Sequence, residues 1–186
     1  MSINRTFFFD QVRSRLFGGK LNQSQVSGLL AILDYWEDHY AAHDDRWLAY
    51  ALATAYHETD RTMQAIEEYG KGRGRSYGKP DPVTKQVYYG RGLVQLTWKY
   101  NYQAMQDVFG ESLVNSPGLA LNLPLAVKIM FHGMERGSFT GKKFADYFND
   151  KREDWVNARR IINGRDKANL IAEYGKKFYS AISYTI

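Results

Sequence analysis

Five apolar side chains between Asn22 and Tyr40, namely Val26, Leu29, Leu30, Leu33 and Trp36, recur at the three-and-four spacing of a helix with one buried face. After a short polar break a second stripe follows. Leu48, Ala51, Leu52 and Ala55 share one face of a segment that starts at Asp44 or Asp45 and ends at His57 or Glu58. Two amphipathic helices in succession need partners for their apolar faces, and the rest of the chain offers mostly more helices. Helical patterns cover about 98 to 109, 123 to 135, 154 to 162 and 166 to 182. Gly110, Gly137 and Gly164 stand where stops are expected, and Asn22 or Ser24, Asn122 and Asp166 where starts are. One long irregular segment, Tyr69 to Val87, contains "YGKGRGRSYGKPDP", in which glycine alternates with lysine or arginine before two prolines. That composition reads as an exposed loop or a short hairpin. The expectation is one mainly α domain with a small β excursion around 76–96.

A chain of 186 residues can bury a substantial core without staples. Its 44% hydrophobic and 24% charged residues lie in the globular range. The absence of cysteine excludes a disulfide framework and a thiol nucleophile, and fits synthesis in a reducing compartment. Only three consecutive apolar residues precede Asp10, so no export signal is expected. The most apolar stretch, Trp47 to Tyr56, is half of the roughly 20 residues a membrane helix needs, and no stable membrane insertion is expected. Twenty-five Lys and Arg against twenty Asp and Glu leave a charge of +5, which favours anionic partners such as nucleic acid, phospholipid head groups or acidic wall polymers.

His57-Glu58 suggests the zinc peptidase signature, but the second histidine is missing because position 61 is Arg61. His39 and His43 form a pair at i, i+4, which reads as a solvated helix face, and no metal site is expected. Helical spacing places Glu58 along the buried stripe and in a last turn, where desolvation and the helix dipole both raise a carboxyl pKa. Such a group can act as a general acid; the plainer alternative is a helix-end glutamate turned to solvent. Glu67 and Glu68 open the segment carrying Lys71, Arg73, Arg75 and Lys79, whose charge favours an ionised carboxylate, though such neighbours are commonly surface pairs. Two carboxyls in opposite environments are what glycoside hydrolysis requires. The glycine loop matches neither phosphate-binding pattern. Gly74 to Gly78 leaves three intervening residues where a Walker loop needs four, and Tyr77 stands where the dinucleotide fingerprint needs glycine. No cofactor is expected, and nucleic-acid binding through arginine, glycine and aromatic residues is the weaker reading.

Four blocks in order decide among these readings: "AYHET" at 55–59, "MQAIEEYGKG" at 63–72, "YYGRGLVQLTWKYNY" at 88–102 and "ARRIINGR" at 158–165. Together they resemble glycoside hydrolase family 19, the chitinase fold, and within it the lysozyme-like endolysin branch of bacteriophages and prophages. The resemblance covers roughly residues 45 to 182. By position it implies that Glu58 is the general acid, that the base lies in the Glu67-Glu68 pair with Glu68 favoured, and that Thr97 helps hold the attacking water. Gln95, Tyr100, Asn101 and Asn163 match substrate contacts, and Arg91, Arg160 and Arg165 match supports for the carboxylates or the substrate. The family inverts the anomeric centre, which implies carboxyls roughly 6.5 to 9.5 Å apart. The aromatic run at 88–102 would then floor a sugar-binding cleft. By helical spacing Trp98, Tyr102, Met105 and Phe109 read instead as core, and Thr97 as a possible cap of the following helix.

The chain departs from the family at Leu93, where many chitinases have proline, and at Asp60-Arg61, where plant members have a glycine-rich turn. It also lacks their cysteines and several cleft loops, which implies an open groove suited to a cross-linked wall polymer. The resemblance therefore implies a peptidoglycan glycosidase of the endolysin type that cuts the β-1,4 bond between N-acetylated sugars without metal or cofactor. A chitinase is the alternative, and a catalytically silent glycan-binding module is a further one. The expected organisation is a single catalytic domain over 1–186. Residues 1–43 form helices packed on the catalytic region 44–182, with no separate wall-binding module. The protein is expected to act as a monomer that collects in the host cytoplasm before release to the wall, with no nucleic-acid partner.

Overall fold

The computed structural model describes residues 2–185. Its helices are α1 (Arg5–Arg15), α2 (Gln23–His39), α3 (Asp45–Glu58), α4 (Lys99–Phe109), α5 (Leu123–Arg136) and α6 (Ala168–Tyr179). Two small antiparallel pairs accompany them: β1 (Ile66–Glu67) with β2 (Arg91–Gly92), and β3 (Phe148–Asn149) with β4 (Arg152–Glu153). The mainly helical architecture with small sheets is the one expected.

Several boundaries follow from caps. The Asn22 side chain accepts from the Gln25 N–H at 2.8 Å while the Gln25 side chain accepts from the Asn22 N–H at 3.0 Å, a reciprocal capping box. The Asp44 carboxylate accepts from the Arg46 N–H, and the Asn122 side chain from the Leu125 N–H. Gly110 and Gly137 end α4 and α5 in the left-handed conformation. Further along, the expected pattern departs from the structure. Residues 157–161 wind as a short 3-10 turn that ends before Gly164, and α6 starts two residues beyond Asp166, with Lys167 at φ 57° as its N-cap.

Strands β1 and β2 fall at the two ends of the glycine-rich segment. Between β1 and β2 the backbone spends its donors locally: Lys71 donates to Glu68, Arg73 to Gly70 and Arg75 to Gly72. Successive turns of this kind leave no ladder for a hairpin, and the only regular element within the segment is a 3-10 turn at Ser76–Gly78.

The core is built around α3. Every residue from Leu48 to Tyr56 is buried, not just the expected stripe, because α6 packs along one side while α2 and α5 close on others. Trp36, Tyr40 and Phe131 stack between α2 and α5 with ring centroids 5.1 to 5.9 Å apart. Each such fully buried large side chain contributes about 1.5–3 kcal/mol. Near the chain ends, Ile3 and Tyr184 pair as an antiparallel bridge. The outcome that matters for the site is that α3, the most enclosed helix, ends at Glu58.

Candidate active site

Val94, Gln95 and Leu96 line a cleft of about 360 Å³ that the end of that helix also borders through Glu58. Glu58, Asn163, Trp98, Tyr100, Asn101 and Tyr77 line it as well. Thr97 belongs to the same lining. Six residues singled out in the sequence, Glu58, Gln95, Thr97, Tyr100, Asn101 and Asn163, therefore share one concave surface. Trp98 joins them. Its φ of 74° and ψ of 136° place it outside the helical turn that starts at Lys99, so helical spacing does not apply to it and the indole is 39% exposed. Tyr102 and Met105, inside the helix, are buried as expected. Thr97 does not cap α4; its hydroxyl donates to the Gln95 carbonyl at 2.7 Å. The Asn101 side chain in turn donates to the Thr97 carbonyl at 2.8 Å, fixing the turn from behind.

Glu58 has a partner that reasoning from the helix end did not include. Arg159, 3% exposed by side chain, donates from Nη1 to Glu58 Oε1 at 2.6 Å and from Nε to the Asp166 carbonyl at 3.1 Å. Glu58 itself is 15% exposed, so the pair is largely removed from solvent. The sequence carried one clue to Arg159. It precedes Asn163 by four residues, and the Asn163 N–H donates to its carbonyl, so the two share a face of one helical turn.

The second acidic pair is divided by the sheet. Glu67 faces Arg91 across the β1–β2 ladder, and side chains alternate along a strand, so Glu68 emerges on the opposite face. Glu67 accepts from the Tyr89 hydroxyl at 2.7 Å and pairs with Lys71 at 3.0 Å and Arg91 at 3.7 Å. The Tyr89 hydroxyl first, then Lys71, hold its carboxyl below the usual range. Arg91 is buried there, with its guanidinium 3.6 Å from the Tyr89 ring centre and bonded to the Tyr102 hydroxyl, so it braces the sheet and does not line the cleft.

Glu68 is held differently. It accepts from the Gly90 N–H at 3.2 Å and from the Tyr77 hydroxyl at 3.1 Å, and Tyr77 lines the cleft. Burial and the Glu68 charge push the Tyr77 hydroxyl above its ordinary pKa. Gly90, opposite Glu68, has no side chain for a reason: a Cβ there would lie 2.7 Å from Gln95 Oε1. Gln95 and Glu68 thus share a face, with Gln95 tied by its amide to the Ile66 and Gly92 carbonyls. Two other arginines from the sequence lie elsewhere. Arg165 lines a separate recess with Val156 and Lys167, and Arg160 one with Tyr147 and Arg152. Among the described residues there is no cluster of three or more potential metal ligands, and no helix is long and apolar enough to cross a membrane.

The fold is that of the family 19 chitinases. A solved bacterial family 19 chitinase superposes with a TM-score of 0.62 over 96% of this chain and 93% of its own, at 23% identity. Chitinase C from Streptomyces griseus gives 0.63 over 96% and 75%, at 21% identity. In sequence, residues 49–132 match the family model of glycoside hydrolase family 19, described as chitinase class I. An endochitinase of Arabidopsis thaliana is 28% identical over 120 residues, 63% of this chain and 42% of the plant protein. Chitinase 11 of Oryza sativa subsp. japonica is 55% identical over 38 residues, 20% of this chain and 15% of its own length. The chain thus spans less than half of these plant relatives.

Proposed function

We propose that this protein is a glycoside hydrolase of family 19 that cleaves the β-1,4 bond between N-acetylated sugars with inversion, and that its substrate is peptidoglycan. The observation that carries the reading is the cleft lined by Glu58, Thr97 and Tyr77, whose hydroxyl donates to Glu68 just outside that lining. Matches to glycosidases in both sequence and fold support an enzyme of this class.

In this mechanism Glu58 protonates the departing glycosidic oxygen. Arg159 occupies Oε1, which leaves Oε2 to carry the proton. Thr97 has already committed its own hydrogen to the Gln95 carbonyl, so its oxygen can only accept, and it turns one hydrogen of the attacking water toward itself. The other hydrogen passes to Glu68 as the water oxygen bonds to the anomeric carbon from the face opposite the breaking bond. Glu67 suits the base role less well, because a hydroxyl and two cations already engage its oxygens and lower its basicity. Solvent then returns a proton to Glu58 and removes one from Glu68. Trp98 and Tyr100, with parallel rings 6.3 Å apart, offer apolar faces to sugar rings, while Gln95, Asn101 and Asn163 offer amides to hydroxyl and acetamido groups.

The preference for peptidoglycan rests on the positive charge and on the endolysin-like order of motifs. A chitinase reading is favoured by what the rice and Arabidopsis relatives are called. On the first reading the chain works as a monomer without a cofactor, gathers in the cytoplasm of a phage host and reaches the wall after release. Parallel digestion of purified peptidoglycan and N-acetylglucosamine oligomers tests the proposal, with new reducing ends identified by mass spectrometry and the first-formed anomer by NMR. Release of α-anomers from the β-linked wall glycan is the expected result; β-anomers would eliminate the water-mediated mechanism.

A further inference from the structure

The loop between β1 and β2 carries more positive charge than its carboxylates neutralise. Lys71 is paired with Glu67 at 3.0 Å, and Lys99 with Asp81 at 3.0 Å. Arg73, Arg75 and Lys79 are exposed and make no ion pair among the described residues. The loop that presents them is nevertheless fixed. Its turns are closed by local backbone bonds, and Gly72 and Gly78 touch so closely that a Cβ on Gly72 would lie 2.6 Å from the Gly78 Cα. Cations on a preorganised scaffold lose little freedom when they engage an anion.

The loop also borders the cleft. A second recess of about 300 Å³, lined in part by Ser76, Tyr77, Lys79 and Trp98, shares Tyr77 and Trp98 with the catalytic cleft. The Arg75 charge is felt at the Tyr77 hydroxyl that donates to Glu68. With Lys99 neutralised by Asp81, Lys79 is the uncompensated charge of this recess.

A neutral glycan such as chitin has nothing to pair with such a rim, whereas the peptide branches of peptidoglycan carry carboxylates within a few bonds of the sugar chain. We propose that Arg73, Arg75 and Lys79 dock the carboxylates of a peptide branch beside the cleft. The loop then selects the branched wall polymer, while the paired glutamates perform the same chemistry on any β-1,4 N-acetylated glycan. This inference rests on the glycosidase reading above.

The test uses the full chain and the charge-reversed variant R73E/R75E/K79E. Three substrates are compared at low salt: peptidoglycan freed of wall phosphate polymers, the same glycan strands stripped of peptides by an amidase and with the lactyl carboxylates so exposed converted to amides, and N-acetylglucosamine hexamer. On intact peptidoglycan the variant should lose at least about tenfold in kcat/KM, and wild type should slow as salt rises. On the stripped strands and the hexamer the variant should stay within about twofold of wild type. Equal loss on all three substrates, or no loss on the intact polymer, overturns the proposal. So does a loss seen only when walls that retain their phosphate polymers are added as a fourth substrate. Co-sedimentation of E58Q with purified peptidoglycan keeps the two readings apart. If wild type cuts none of the substrates, the glycosidase reading fails, while release of E58Q on charge reversal still reports on the loop.

Discussion

The two regions that carry the paired carboxyls are made in opposite ways. One is the end of α3, enclosed by other helices, where Glu58 meets an arginine that is itself buried. The other is a two-residue strand continued by a chain of turns, where Glu68 is held by one backbone N–H and the hydroxyl of a loop tyrosine. A packed region fixes a group to within the precision of the core. A turn-built region fixes it through a few hydrogen bonds and can vary without cost to the rest of the fold. The difference assigns stability and positional precision to one side, and adaptation to substrate to the other.

The largest effect should come from the carboxyls themselves. E58Q and E68Q are each expected to lower kcat by about 10²–10⁴-fold with the helical circular dichroism unchanged, while E67Q, on the far face of the sheet, should lose less than about tenfold. Turnover of a soluble oligosaccharide reads this directly. If E67Q were the more damaging of the two neighbours, the sheet-face argument would be wrong.

Glycine substitutions compare the two regions as structures. A Cβ at Gly175, in α6, would lie 2.8 Å from the Trp155 ring, so G175A should destabilise by about 2 kcal/mol in denaturant titration. At Gly74 nothing lies within 4 Å and only the φ of 77° is strained, so G74A should cost about 1 kcal/mol. Comparable losses from the two would mean that the loop is packed as tightly as the core.

The smallest effect is a pH dependence confined to the loop region. The Thr84 backbone N–H first, with help from the Lys99 ammonium, lowers Asp81 from 3.8 to about 2. A carboxyl with a depressed folded pKa contributes stability that is present above its unfolded value and is lost as pH falls through the folded one. The contribution should therefore fade between about pH 4 and 2, and D81N should flatten that part of the stability profile. An NMR titration midpoint of Asp81 near its ordinary value would remove the basis for this expectation.

The helical layers were readable because their signals are local. Asn22, Asp44 and Asn122 cap where short polar residues precede apolar stripes, and Gly110 and Gly137 stop helices where only a left-handed residue closes the turn. The strands were not readable at their true positions, since two-residue strands have no periodicity and β1 and β2 are brought together across the whole loop. Helical spacing assigns Trp98 to the core, but its backbone leaves the helical path one residue before α4 begins and turns the indole toward the cleft. The acidic residues could be singled out by type and motif, but which face of the sheet each of Glu67 and Glu68 occupies depends on a register set by strand pairing.

By itself the sequence determined the order and most of the limits of the helices, the wealth of positive charge in one glycine-rich loop, and the short roll of acidic residues able to work as a pair. Only the tertiary structure decided which arginine meets Glu58. Arg159 lies 101 positions away, and although its spacing from Asn163 places the two on one face, the contact with Glu58 is made only by packing the chain around α3. Residue type and short-range periodicity are carried by the chain itself, whereas the partner of a buried charge is chosen by whatever the fold brings within reach of it.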